Sequence, residues 1–188
     1  MATPEGLCVV PDFLTAAEAQ GLLGCVEASD EWYPVVPGSA KSRRVLHFGW
    51  SYPYAGGALQ AARPIPASLR LGAKFARLPA GAAGFAPDQL IVNRYEPGQG
   101  IAPHVDRTDL FGPVIACVTL GSGAEMEFTR PGYPSFRVYT TPGSLYAMTG
   151  EARYLWQHRM RSRLTDPEGG KRVPRGVRVS LTYRTKLG

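Results

Sequence analysis

At 188 residues, with 44% hydrophobic and 19% charged side chains, the chain fits one domain and can bury a substantial core without staples. Its three cysteines, Cys8, Cys25 and Cys117, lie far apart with no C-x-x-C pair, which argues against a zinc knuckle or a redox pair. A net charge of +6 and a pI near 9.4 suit a polyanionic partner without requiring one. Elements follow in chain order. Thr15-Ala16-Ala17-Glu18 has the form of a capping box and opens a helix expected to reach Ala28, with Ala19, Leu22, Leu23 and Val26 on one face. A second helix is expected over Ala67–Leu78, with Leu69, Leu71, Phe75 and Leu78 inward. Then come short strands: Gln89–Tyr95, Val114–Leu120, Glu125–Phe128, Phe136–Thr140, Ser144–Met148, Tyr154–His158 and Val177–Thr185. Pro97-Gly98, Pro131-Gly132 and Pro142-Gly143 punctuate them. Many short strands at this spacing imply a sandwich or barrel.

The most specific chemistry lies in Asn93–Asp106, N-R-Y-E-P-G-Q-G-I-A-P-H-V-D. If His104 and Asp106 sit on a strand, their side chains share a face. With His158 they would form a two-histidine, one-carboxylate triad, which holds non-haem Fe(II) and leaves three coordination positions open. Taken alone, H-x-D is better explained by chance and His158 by a satisfied core histidine. The C-terminal strand adds to the case. Val177, Val179, Leu181 and Tyr183 alternate with Arg178, Ser180, Thr182 and Arg184, so one face is core and the other carries two arginines. Six residues separate these arginines by roughly 20 Å at about 3.3 Å per residue. Their long side chains would reach inward and grip the two ends of a short dicarboxylate.

N-x-Y-x-P-G-x-x-I-x-x-H-x-D, then L-G, then G-S-L-x-x-M-x-G-E-x-R-Y-x-W-x-H, then R-x-S-x-T-x-R resembles the AlkB family of Fe(II)- and 2-oxoglutarate-dependent dioxygenases. The likeness covers about residues 43–185. It is strongest to the branch that contains the tRNA wobble-uridine hydroxylase and related bacterial AlkB-like proteins. It implies a mainly β (α+β) fold, a double-stranded β-helix of the jelly-roll or cupin-like kind with N-terminal buttressing helices. A single domain over 1–188 is expected, with helices and a substrate lid in about 1–86 and a catalytic β-core in about 87–188. By position, His104, Asp106 and His158 match the iron ligands. Arg178 matches the arginine on the distal carboxylate of 2-oxoglutarate, with Tyr95 beside it. Arg184 and Asn93 match residues at its iron-chelating end, and Ser180 stands where the best-known bacterial member has an asparagine. Fe(II) is the implied metal, and 2-oxoglutarate and O2 are the co-substrates.

The resemblance also implies a lid in Ser42–Tyr54, S-R-R-V-L-H-F-G-W-S-Y-P-Y. Its candidates for substrate contact are Arg43, Arg44, His47, Trp50, Tyr52 and Tyr54, with Tyr54 expected nearest the site; a hairpin packing its aromatics on the core explains them equally well. Arg153 and Glu151 match family residues near the second histidine and equally suit a structural ion pair. The family's further aspartate, two residues after the metal aspartate, is replaced here by Thr108, so base preference does not carry over. A second basic run, from His158 through Arg163 and on to Lys171-Arg172, reads first as a solvated loop.

The expected function is oxidative dealkylation of nucleic-acid bases, of the DNA and RNA repair type, on alkylated single-stranded DNA or RNA. Alternatives are a hydroxylase or demethylase of a protein, a tRNA wobble base or a small molecule, and a non-catalytic binding module. The expected setting is a monomer, away from membranes, in the cytoplasm or in a nucleus, because the cysteine count is odd and neither a secretory leader nor a long apolar run is present.

Overall fold

The computed structural model describes residues 3–39 and 41–188, with the Ala80 side chain excepted. In chain order the elements are β1 (Leu7–Val10), α1 (Ala16–Glu27), β2 (Tyr33–Pro34), β3 (Arg44–Phe48), β4 (Trp50–Ser51), β5 (Gln60–Ala61), a 3-10 turn (Ala67–Leu69), α2 (Gly72–Phe75) and a 3-10 turn (Ala80–Ala82). They continue with β6 (Gln89–Tyr95), β7 (Ile101–His104), β8 (Phe111–Gly121), β9 (Ala124–Thr129), β10 (Phe136–Thr140), β11 (Leu145–Met148), α3 (Gly150–Tyr154), β12 (Gln157–Met160), β13 (Thr165–Glu168), β14 (Lys171–Pro174) and β15 (Arg178–Lys186).

Two sheets face each other. The major sheet runs β1-β11-β8-β15-β6-β3-β2 and the minor sheet β10-β9-β12-β7, each with antiparallel neighbours. This is the expected mainly β double-stranded architecture. β15 lies between β6 and β8, and its alternation decides which face does what. Val179, Leu181 and Tyr183 turn away from the minor sheet into a core shared with Leu22 and Val26 of α1, Leu69 and Phe75. Each such aliphatic side chain contributes about 1.5–3 kcal/mol by burial. The other face of the major sheet meets the minor sheet in a second core containing Ile115, Met126, Phe128, Tyr146 and Met160. The site opens inside this second layer.

α1 forms as the sequence requires. The Glu18 amide donates to Thr15 Oγ1 at 3.2 Å and the Thr15 amide to Glu18 Oε2 at 2.8 Å, which satisfies two otherwise orphaned donors. Two other expectations need correction. The helix expected over Ala67–Leu78 is broken: Arg70 is extended, with ψ 106°, between the 3-10 turn and the four-residue α2. Neither piece has a side-chain cap, and Gly72 opens α2, so propensity does not hold the helix together; Leu69, Phe75 and Leu78 are buried nonetheless. The strand expected over Tyr154–His158 begins only at Gln157. The residues before it wind into α3, where the Arg153 amide donates to Thr149 O and the Leu155 amide to Glu151 O, and Ala152 and Arg153 become buried.

Candidate metal and co-substrate site

Register brings the triad together. β7 and β12 pair so that His104 and His158 are direct partners, and their rings lie 4.3 Å apart, centroid to centroid. Asp106 is not on the strand, as the H-x-D reading assumed. β7 ends at His104, and Asp106 lies in the irregular segment that follows it. Even so, one ligand atom from each of His104, Asp106 and His158 falls within 4.8 Å of the other two.

The surroundings prepare each ligand differently. His104 Nδ1 stands 2.8 Å from the Ala102 carbonyl. A carbonyl only accepts, so Nδ1 carries the proton and Nε2 keeps its lone pair for a metal. His158 is buried, and burial, aided by the charges of neighbouring groups, pulls its pKa down to about 3, which keeps the ring neutral. Burial pushes the Asp106 carboxyl up, but Arg184, His158, His104 and Arg153 together bring it below its usual value. Arg184 Nη1 donates to Asp106 Oδ1 at 3.1 Å. Asp106 Oδ2 and His158 Nδ1 are buried without a protein partner, as is Arg178 Nε. Unpaired buried polar atoms are costly, and three of them around one cavity mark positions shaped for something else. Two imidazoles and a carboxylate at this spacing are a donor set that fits a divalent ion such as Fe(II). The unpaired edge of Arg178 fits a carboxylate.

The cavity beyond the triad has a volume of about 360 Å³. Its floor is the inner face of β6, β8 and β15. Arg178 pairs in register with Tyr95, Ser180 with Asn93, and Arg184 with Gln89. Arg178 donates to Thr119 Oγ1 at 3.0 Å and lies 5.8 Å from the centre of the Tyr95 ring. At the other end, Arg184 Nε donates to Gln89 Oε1 at 2.9 Å, and its guanidinium sits 4.1 Å from the centre of the Phe111 ring. Arg184 thus stands at the triad end of the cavity and Arg178 at the far end. Thr119, Gln89 and Tyr146 were not singled out from the sequence. Sheet register around the two arginines is the signal that would have found the first two.

The lid candidates divide. Arg43, Tyr52 and Tyr54 line the cavity. Arg43 Nε donates to Asn93 Oδ1 at 2.9 Å, and its guanidinium is 5.7 Å from the centre of the Tyr54 ring. Tyr52 lies edge-on to Tyr54, with centroids 4.9 Å apart, and stacks on Phe111. Arg44 points away, donating to Trp32 O at 2.8 Å, and Trp50 is held between Asp88 and Lys186. His47 does not line the cavity but anchors this region. The Tyr52 amide donates to its Nδ1, so Nε2 carries the proton toward Tyr54 Oη at 3.4 Å. Gly49 makes the preceding turn possible: φ is +73°, and a Cβ there would lie 1.8 Å from Asp88 O.

Arg153 is buried, not open to substrate. Its guanidinium donates to the carbonyls of Asp106, Arg107, Phe111 and Gly112, clamping the loop that carries Asp106. It does not pair with Glu151, which takes Arg130 instead.

The family model described as the 2OG-Fe(II) oxygenase superfamily matches residues 6–184. The chain belongs to that superfamily. Within the superfamily its relatives are AlkB-like. It is 34% identical over 205 residues to the mouse tRNA (carboxymethyluridine(34)-5-O)-methyltransferase ALKBH8, covering 97% of this chain and 31% of that one. It is 32% identical over 211 residues to the alkylated DNA repair protein ALKBH8 homolog of Arabidopsis thaliana, covering 95% of this chain and 58% of the relative. This oxygenase-superfamily chain therefore spans about a third to somewhat over half the length of these curated relatives. The solved structure of OsALKBH1 superimposes with a TM-score of 0.69 at 18% identity, covering 98% of each chain, which shows a shared fold. Fe(II), 2-oxoglutarate and O2 are the cofactor and co-substrates that membership implies, and the triad provides the matching donor set. Among the described residues, no helix is long and apolar enough to cross a membrane.

Proposed function

We propose that this chain is an Fe(II)- and 2-oxoglutarate-dependent dioxygenase that removes alkyl groups from nucleic-acid bases. The observation that carries the reading is the convergence of His104, Asp106 and His158 at one end of a cavity that holds the unpaired Arg178 edge at its other end. When bound, Fe(II) and 2-oxoglutarate supply the oxidation of a C–H bond by O2, with succinate and CO2 as co-products. His104, Asp106 and His158 hold the metal, and Arg184 and Arg153 fix the carboxylate and its loop. Arg178 pairs with the distal carboxylate of 2-oxoglutarate, with Tyr95 packed beside it. Asn93 and Ser180 line the path to the chelating end, which lies near Arg184. Bidentate pairing of guanidinium with carboxylate gives both charge and direction.

At the mouth, Tyr52 and Tyr54 offer aromatic faces on which an unpaired base would stack, and Arg43 packs its guanidinium against the Tyr54 ring. Hydroxylation of a carbon attached to a base nitrogen leaves an adduct that falls apart to an aldehyde and the restored base. The names of the relatives, one concerned with alkylated DNA repair and one with a tRNA uridine, support a nucleic-acid substrate, and the excess of cations agrees with it. The tRNA name also favours a second reading, hydroxylation of a wobble base to a stable alcohol by the same residues. We place the activity in one domain that works as a monomer on single strands in a reducing compartment, where Cys8, Cys25 and Cys117 stay free as they are here.

The test supplies the protein with Fe(II), ascorbate, 2-oxoglutarate and single-stranded DNA or RNA carrying 1-methyladenine, 3-methylcytosine or etheno-adenine, with tRNA in parallel. Loss of the alkyl mass with matching succinate is the expected result. A gain of one oxygen on tRNA would replace it with the second reading. Succinate formation without any change in nucleic acid would remove both.

A further inference from the structure

The outer face of the minor sheet carries a group of charges that the catalytic site does not use. Glu127, on β9, is buried between its two cross-strand partners, Arg137 of β10 and Arg159 of β12, and Arg161 reaches it from just beyond β12. Arg137 Nε donates to Glu127 Oε1 at 2.8 Å, Arg161 Nη2 to the same oxygen at 2.9 Å, and Arg159 Nε to Oε2. One carboxylate thus gathers three guanidiniums. A neighbouring group is balanced: Arg163 and Arg175 meet Glu125 and Asp166, and Arg175 and Asp166 are almost fully buried. The balanced half reads as fold glue. The unbalanced half is the exposed one, with Arg137, Arg159 and Arg161 at 48%, 31% and 43% side-chain exposure.

One arginine would satisfy Glu127. Three bring mutual repulsion and leave two surplus positive charges, with Arg137 Nη1, Arg161 Nη1 and both Nη atoms of Arg159 having no protein acceptor among the described residues. Planar guanidiniums held by one anchor, with donors turned outward, form a preorganised phosphate site. Its place in the fold selects the ligand. On β12, His158 points into the cavity and Arg159 points out through the same strand. β7 is the edge strand beside β12, and Ala102 and His104 of β7 line the cavity. A chain crossing the β7 edge therefore passes one strand spacing, about 5 Å, to reach Arg159 and Arg161 on and beside β12, and three, about 14 Å, to reach Arg137 on β10.

We propose that Arg137, Arg159 and Arg161 bind the phosphate backbone of the single-stranded nucleic acid whose base enters the cavity, so that the strand wraps over the β7 edge onto the outer face of the minor sheet. The proposal rests on the nucleic-acid reading above and adds to it a surface and a direction of travel.

The experiment measures binding of the full chain to fluorescent single-stranded DNA and RNA 15-mers by anisotropy, across a range of salt, so that no turnover is needed. Arg159→Gln/Arg161→Gln leaves Arg137 to pair with Glu127, so the sheet keeps its buried carboxylate partnered. This pair is expected to weaken binding on the order of tenfold and to make the logarithmic salt dependence shallower by about 0.7 for each phosphate no longer neutralised. Arg159→Lys/Arg161→Lys restores the charge and is expected to recover most of the slope. Arg70→Ala/Arg77→Ala removes as much charge from the opposite, helical side and leaves affinity within about twofold. If the Gln pair fails to fold, Arg137→Gln alone makes the same test with a smaller change. Wild-type affinity and slope in the Gln pair overturn the proposal while leaving the nucleic-acid reading in place. A wild-type chain that binds no oligomer overturns that reading, and the proposal with it. Equal losses in the Gln pair and the helical-side pair reduce the effect to net charge and also overturn the proposal.

Discussion

The triad corner and the lid bound the same cavity but are held by different means. At the triad, backbone register does the placing: the β7–β12 pairing puts His104 opposite His158, and Arg153 clamps four carbonyls of the loop around Asp106. At the lid, side chains do the placing. Tyr52 and Tyr54 are half-buried, and their positions depend on one imidazole, His47, on a glycine turn, and on ring contacts. Register here is set by backbone pairing of β12 with β7 on one side and β9 on the other, and it does not depend on any one side chain. A network centred on one side chain does. The contrast suits the proposed function, in which the triad would hold a metal rigidly while the lid would yield to admit a base.

The largest effects should therefore fall at the triad, and they should differ in kind. His104→Ala should cost more than about 100-fold in metal affinity and turnover, the upper end of what losing an outer-sphere partner costs, with little loss of stability because His104 is only half-buried. Asp106→Ala should abolish turnover as well, and it should also destabilise the metal-free chain by roughly 3–5 kcal/mol, because Arg184 is left buried with its charge unpaired. Paired iron titrations and denaturant melts separate the two; equal melts for both variants would show that Arg184 does not depend on Asp106. Arg153→Ala should behave as a fold mutation with catalytic consequences, losing about 3 kcal/mol or more with four carbonyls released. An Arg153→Ala chain with wild-type stability would mean the loop around Asp106 is held by its turn alone.

The same contrast explains what could be read in advance. Strict alternation in Val177–Tyr183 gave both faces of β15, because one-residue slippage would exchange core and site. The histidines were legible as types. Their meeting across β7 and β12 was not, because β7 is a short edge strand of Ile101-Ala102-Pro103-His104 with no alternation of its own. β3 was hidden for another reason: Arg44–Phe48 ends in a continuous buried run beside β6, next to the edge of the major sheet, and short runs of that kind resemble buried helix as much as strand. Arg153 read as a substrate or ion-pair residue because a sequence shows its charge and not the four carbonyls that claim it. The division of Arg43 and Tyr54 from Arg44 and Trp50 follows from strand β3 and the turn at Gly49, features that no local motif encodes.

At the far end of the cavity the expected effect is intermediate. Arg178→Lys keeps a charge but loses the fork, and should raise the 2-oxoglutarate concentration needed for half-maximal turnover about 10-fold, with Arg178→Ala nearer 100-fold. Metal affinity should change little in either, since Arg178 touches Thr119 and Tyr95 and not the triad. If iron binding fell in step with co-substrate binding, the two ends of the cavity would not be separable in the way the register suggests.

The smallest effect belongs to the lid and has a sign that can be worked out. Burial foremost, then the charges of Arg184 and Arg43, lowers the His47 pKa to about 4 from an ordinary value near 6.5. Between those two pH values the unfolded chain binds a proton at His47 that the folded chain refuses. Stability contributed by neutral His47 is therefore fully present above about pH 6.5 and is lost as the pH falls toward 4. Protonated Nδ1 would also no longer accept from the Tyr52 amide, so the lid should loosen before the sheets do. His47→Gln keeps a side chain that donates and accepts but does not titrate. It should flatten the acid limb of the stability profile and raise the half-saturating concentration of the nucleic-acid substrate a few-fold at pH 7, with 2-oxoglutarate dependence unchanged. Amide exchange at Tyr52 followed from pH 7 to pH 5 provides the local readout. Protection that stays constant in the wild-type chain across that range would mean the turn at Gly49, and not the imidazole, holds the lid in place.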